Sequence, residues 1–237
     1  MALSADTSHC TKLPAYTGGI AGCFHNIAYV VQLDLTLPSQ TLTIARICKF
    51  SMSTIAKLCG TDFDRMVQRG AFVDLGPLKV ELINGDLRFM NPAGPVHDAE
   101  VEFLTNWSYE HTNREQISIR VQSGIECGDH RPEPDLVWSR KIKSKRVRPT
   151  QADLFLVIEV SDSSLDIDMG EKANLYAAHN IPEFWVVDIT SEQVHVHHSP
   201  QNGRYQSIQA FPKGTIIFPQ CQRNSLLSLS ELFDIDS

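Results

Sequence analysis

The sequence predicts an α/β fold, a mixed β-sheet flanked by helices, preceded by an N-terminal extension. Three observations carry that expectation. Residues 154–188 read as strand, helix and strand in succession, other stretches alternate with period two, and Asn84-Gly85 stands between two short strand-like runs.

The first of these is the most informative. Leu154 to Val160 is apolar except for Glu159 and has the length of a strand buried on both faces, as parallel sheets require. An unpaired ionised carboxylate there would cost several kcal/mol, so the chain must supply a metal, a lysine or dense hydrogen bonding beside it. Asp168-Met-Gly-Glu171 then has the form of a capping box, with Asp168 as N-cap, and predicts a helix from there to about His179. Lys172, Leu175, Tyr176 and His179 share one stripe of that helix, which puts the lysine on the face that meets the core. Asn180 and Pro182 end the helix. Glu183 to Asp188 reads as the next strand, parallel to the first through a right-handed crossover, so Lys172 returns toward the strand carrying Glu159.

Upstream, Phe63, Met66, Val67 and Gly70 outline a short helix, and Lys79–Ile83 and Asp86–Met90 form a hairpin around Asn84-Gly85, the favoured type I′ pair. Alternation puts Glu81 on one face with Ile83; it reads equally as a solvent-facing glutamate on an edge strand or as a site acid. Pro92 to Pro95 breaks the chain before a helix from about His97 to Glu110, with Val101, Leu104, Trp107 and Ser108 as its packing face. Ile117–Val121 alternates as a half-buried strand. Pro132-Glu-Pro134 allows only an extended entry into Asp135-Leu-Val-Trp138, which places Asp135 at the mouth of the sheet. Downstream, Gln193–His197 reads as a strand with His195 and His197 on an exposed face, Gly214–Phe218 as a last strand and Leu229–Phe233 as a closing helix.

With 237 residues, 42% of them hydrophobic, the chain has material for one well-formed core. A net charge of −7 and a pI near 5.7 exclude a general nucleic-acid coating protein, but not an enzyme that meets nucleic acid through one basic patch. Arg140, Lys141, Lys143, Lys145, Arg146 and Arg148 form the one basic cluster, which reads either as a solvated loop or as phosphate contacts. The six cysteines are scattered without metal-site spacing and read as free thiols of a reducing cytoplasm, and no apolar run is long enough to span a bilayer. Residues 1–52 contain no glutamate and no sustained period. They read as a weakly ordered extension or as sequence upstream of a natural start at Met52, with 53–237 as the single folded domain.

Glu81, Asp135, Glu159 and Lys172 thus converge at one end of the sheet. Phosphodiester hydrolysis uses such a set: carboxylates hold one or two Mg²⁺ ions while a lysine orients or deprotonates the attacking water. A glycosidase also needs two acids, but would leave the inward lysine and the basic run without a purpose.

The span from about Phe63 to Phe233 resembles the bacterial Uma-two family of restriction endonucleases. The resemblance lies in Glu81–Leu87 (ELINGDL), Pro95-Val-His97, Pro132–Trp138 (PEPDLVW), Leu156–Ser164 (LVIEVSDSS) and Asp168–Asp188. It implies a restriction-endonuclease-like core of the PD-(D/E)xK superfamily, with Asp135 and Glu159 as metal-binding acids and Glu81 as an accessory one. The superfamily's usual lysine position holds Ser161 here, and the resemblance implies that Lys172 replaces it; His97 matches a family position without an assigned role. It further implies Mg²⁺, with Mn²⁺ as a substitute, DNA as partner, and no organic cofactor or membrane. A two-fold dimer would present two sites to two strands. The alternative is a nuclease-fold protein that binds nucleic acid with weak or no turnover.

Overall fold

The structure is a computed structural model and describes residues 56–76 and 78–234. The expectations for residues 1–52, including the start at Met52 and the thiols of Cys10, Cys23 and Cys48, lie outside the described residues.

A helix, α1 (Gly60–Gln68), leads into the hairpin β1 (Lys79–Ile83) and β2 (Asp86–Met90). Asn84 and Gly85 both take positive φ, 54° and 79°, as a type I′ turn demands. A Cβ on Gly85 would come within 2.8 Å of the Lys57 side chain. Gly85→Ala should therefore cost on the order of 1 kcal/mol in urea unfolding, and an unchanged midpoint would show that the turn tolerates a side chain.

The long helix α2 (Pro95–His111) starts with proline in its first turn, where the missing N–H is no loss, and buries Val101, Leu104, Trp107 and Ser108 as its spacing predicts. It also buries Glu100, which the apolar pattern does not foresee. Next come β3 (Ile117–Val121), β4 (Leu136–Arg140) and β5 (Leu154–Ser161). The chain then turns helical through α3 (Leu165–Ile167), a π-helical turn at Asp168–Lys172, and α4 (Ala173–Ala178). Strands β6 (Glu183–Asp188), β7 (Gln193–Gln201) and β8 (Arg204–Pro212) follow, then the short pair β9 (Ile216–Ile217) and β10 (Leu227–Ser228), and helix α5 (Leu229–Phe233).

Strands β3 to β8 form one six-stranded sheet in chain order, antiparallel throughout except for the parallel β5/β6 pair in the middle. That one parallel pair requires a crossover, and α3 to α4 supply it. Alternation along β5 then sorts the core. Leu156, Ile158 and Val160 face α2 and α5, where Trp107 stacks at 5.2 Å on Trp138 and 6.1 Å on Trp185. Val157 faces α4 and its Tyr176, together with Val137, Phe184 and Val186. Glu159 has the parity of Val157 and Asp135 that of Val137, so both acids belong to the side of the sheet covered by α4 and the hairpin.

Three expectations need correction. The crossover helix begins at Leu165 rather than Asp168, and Asp168 is no N-cap: its carboxylate is buried and accepts from the hydroxyls of Ser161 (2.6 Å) and Ser164 (2.5 Å). The strand expected at Gly214–Phe218 shrinks to Ile216–Ile217 and is not the last, since β10 follows and pairs with it. His197 is fully buried against Phe184 and Tyr205, because the face of β7 it shares with His195 lies partly under α4. Burial lowers its pKa to about 4, so it stays neutral.

Candidate active site

Lys172 carries its ammonium into the protein on the π-helical turn. That turn adds a residue to the helical repeat and leaves both Asp168 and Lys172 pointing inward, an arrangement recurrent at functional sites. The ammonium lies 3.0 Å from Glu159 Oε1, 3.4 Å from Glu81 Oε1 and 3.7 Å from Asp168 Oδ1, and all four side chains are at most 3% exposed. Burial works against its charge, but Glu159, Glu81 and Asp168 outweigh burial and raise its pKa above that of a free lysine. Glu159 also accepts from Tyr176 Oη at 2.7 Å, and burial raises its pKa against the pull of Lys172. Glu81 is not the solvent-facing glutamate of an edge strand. It accepts from the Glu133 N–H at 2.6 Å and is buried on the inner face of the hairpin.

Asp135, one residue before β4, sits in a second set of contacts at the same end of the sheet. Its Oδ2 accepts from the Val160 N–H at 2.9 Å and stands 3.3 Å from His97 Nε2, while Oδ1 lies 3.5 Å from Lys79 Nζ. Burial opposes the carboxylate, but the His97 hydrogen bond and the Lys79 charge overcome it and hold its pKa down at about 2. The same hydrogen bond raises the pKa of His97. Lys79 is raised too, since Asp135 and Glu159 outweigh its own burial.

The four residues expected to carry the chemistry are thus brought together as two adjoining clusters, Glu81–Glu159–Lys172 and Asp135–His97–Lys79. His97, which had no assigned role, touches the site directly. The sequence reading missed Asp168, Tyr176 and Lys79. Each had a signal: Asp168 and Tyr176 lie four residues either side of Lys172, and Lys79 shares the strand face of Glu81 by alternation. Among the described residues, no three of His, Cys, Asp and Glu are placed so that they could hold a metal ion, and Asp135 and Glu159 pair instead with Lys79 and Lys172.

The basic run divides. Arg140 pairs with Asp153 at 3.2 Å and Arg148 with Asp64, so these two ends hold the loop to the fold. Lys141, Lys143, Lys145 and Arg146 are exposed, starting at the end of β4 opposite Asp135, about 17 Å of strand away. A recess of about 230 Å³ between α1 and β1, with Arg131, Glu133 and Arg148 in its walls, reaches Lys79 and thereby the edge of the Asp135 cluster.

A mixed sheet with one parallel pair, flanked by helices, is the fold expected of a restriction-endonuclease-like protein, and that fold is shared with known structures. The crystal structure of a "putative nuclease belonging to DUF820" from Anabaena variabilis superposes with a TM-score of 0.61 at 15% identity, covering 75% of this chain and 98% of that one. The family model Uma2, described as "Putative restriction endonuclease", matches residues 63–228, and the chain belongs to that family. No curated protein matches it. No helix among the described residues is long and apolar enough to cross a membrane.

Proposed function

We propose that the chain is a Mg²⁺-dependent DNA endonuclease that hydrolyses phosphodiester bonds at the sheet end where Asp135, Glu159, Glu81 and Lys172 meet. The observation that carries this reading is Lys172 itself: an ammonium at most 1% exposed, held 3.0 Å from Glu159 next to the Asp135 cluster. The donors suit the ion, since Mg²⁺ is bound by hard oxygens, commonly one or two carboxylates with several waters. Asp135 and Glu159 would hold it, with Glu81 as the outer acid. Bound there, Mg²⁺ would neutralise phosphate charge and stabilise the leaving oxygen.

The remaining chemistry belongs to the side chains. Lys172, with its pKa raised, stays protonated at neutral pH; it donates hydrogen bonds and stabilises developing negative charge rather than removing a proton from water. Tyr176 and Asp168 hold Glu159 and Lys172 in register. His97 and the Val160 N–H fix the Asp135 carboxylate, and Lys79 adds a positive charge where a phosphate would approach. Plasmid incubated with purified protein in Mg²⁺ or Mn²⁺ should be nicked or linearised, and EDTA should stop it. Binding of DNA without cleavage under all three conditions would favour the second reading, a nucleic-acid-binding protein of the same fold. The occupancy of the acid oxygens by Lys79 and Lys172 is the observation on that side.

Replacing Lys141, Lys143, Lys145 and Arg146 together with glutamine should weaken DNA binding and flatten its dependence on salt, by about 0.9 in the log–log slope for each phosphate that is no longer neutralised. The 17 Å of β4 between this loop and Asp135 corresponds to about five base pairs of duplex, within reach of one bound substrate. An unchanged slope in a filter-binding salt titration would make the run an ordinary solvated loop.

A further inference from the structure

Toward the N-terminal end of α2, on the same buried face as Trp107, Glu100 lines a recess of about 340 Å³ that the nuclease chemistry does not use. Val96 and Ala99 of α2, Ile189 after β6 and Phe233 of α5 supply apolar walls, and Glu192 stands at the edge. Glu100 is 2% exposed, yet no hydrogen bond reaches it from any described residue, and its Oε2 is shut off from solvent without a partner. A carboxylate left in that condition is costly to keep and calls for an explanation.

The cation nearest at hand does not provide one. Lys213 is engaged elsewhere, 3.0 Å from Glu192 Oε1, 2.7 Å from Asp234 Oδ1 and 3.3 Å from the Phe233 carbonyl. Burial, reinforced by Glu192 and only partly offset by Lys213, raises the Glu100 carboxyl to about 7. The group therefore passes between acid and carboxylate near neutrality, and any positive partner in the recess favours the carboxylate.

We infer that this recess is a binding site for a small organic cation, a primary alkylammonium whose head pairs with Glu100 and whose chain lies against Val96, Ala99, Ile189 and Phe233. A divalent metal fits less well. It needs about six oxygen ligands, and beyond the two glutamates the side chains of these walls offer none. An ammonium needs few acceptors and gains from apolar contact along its chain, and pockets of this size take small molecules. The charged groups around the recess are Glu192, Lys213 and Asp234, with Lys213 already paired.

The test is isothermal titration of the full chain at pH 8, where Glu100 is ionised, with n-butylammonium chloride as probe. Saturable binding is expected, weakened at least about tenfold in Glu100→Gln, as loss of a charged hydrogen bond requires. Glu100→Gln should fold, since it removes a buried charge that lacks a partner. Ala99→Leu, which keeps the carboxylate and narrows the recess, should weaken binding as well. Heat that fails to saturate or that sodium chloride reproduces, or equal affinity in Glu100→Gln, would overturn the inference. So would MgCl₂ binding that depends on Glu100 while butylammonium does not bind.

Discussion

Lys172→Met should lose cleavage by a factor on the order of 10² to 10⁴ and, in EDTA, should lose roughly 3–5 kcal/mol of stability. The second effect follows from what the ammonium leaves behind. Glu81, Glu159 and Asp168 all lie within 3.7 Å of Nζ, and none of the three is more than 3% exposed. With the cation gone the carboxyl of Glu159, already raised by burial, rises further. Its pKa in the folded state then stands well above its value in the unfolded chain. Such a group contributes stability that is fully present below about pH 4.3, the unfolded value, and is lost as pH rises through the folded value. The variant should therefore approach wild-type stability in acid and fall furthest below it at pH 8. Adding Glu159→Gln should restore much of the stability at pH 8 and none of the activity. Mg²⁺ titration separates the roles: a cleavage rate that recovers fully at saturating metal would make Lys172 scaffolding for Glu159 and remove it from the chemistry.

That Lys172 and Glu159 could be paired without a structure has a physical basis. A lone charge inside a run of strand length is costly wherever the strand goes, and a helix of period 3.6 following it has few ways to return a lysine on its core-facing stripe. Both signals are local and strong. The capping-box reading of Asp168 failed because it weighed only contacts within one turn. Its carboxylate takes hydroxyls from Ser161 and Ser164, and Glu171, the other half of the supposed box, pairs instead with Arg88 at 2.7 Å and Asn84 at 2.8 Å, more than eighty residues away. Long-range partners of that kind leave no period in the sequence. His197 failed for a related reason: alternation in β7 separates two faces but does not say which one α4 covers. Asp135 shows the same limit from the other direction. Pro134 places it at the sheet's mouth, but His97 and Lys79 come from a helix and a hairpin 38 and 56 residues distant.

Those two partners reverse the expectation for Asp135→Asn. From sequence alone, removing a charge from a crowded acidic site should leave the fold as stable or more so. In the structure Asp135 is the counter-ion of Lys79 and His97, and its carboxyl is held at about 2 against an ordinary value of 3.8. A group so depressed contributes stability above the ordinary value that is lost as pH falls toward the folded one, here between about pH 4 and pH 2. The asparagine variant should forgo that contribution, about 2 kcal/mol, throughout the neutral range, and its stability should converge on wild type near pH 2. Its amide oxygen can still accept the Val160 N–H, so the sheet end should keep its form. His97, whose pKa is raised first by the hydrogen bond to Asp135, should titrate at lower pH in the variant, readable from its ring resonances by NMR. Cleavage should fall below detection while DNA binding persists, because Asp135 would hold the metal and the exposed lysines of the basic run the backbone. Cutting at near wild-type rate would remove Asp135 from the active site. An unshifted His97 titration would dissolve the cluster itself, whatever the activity.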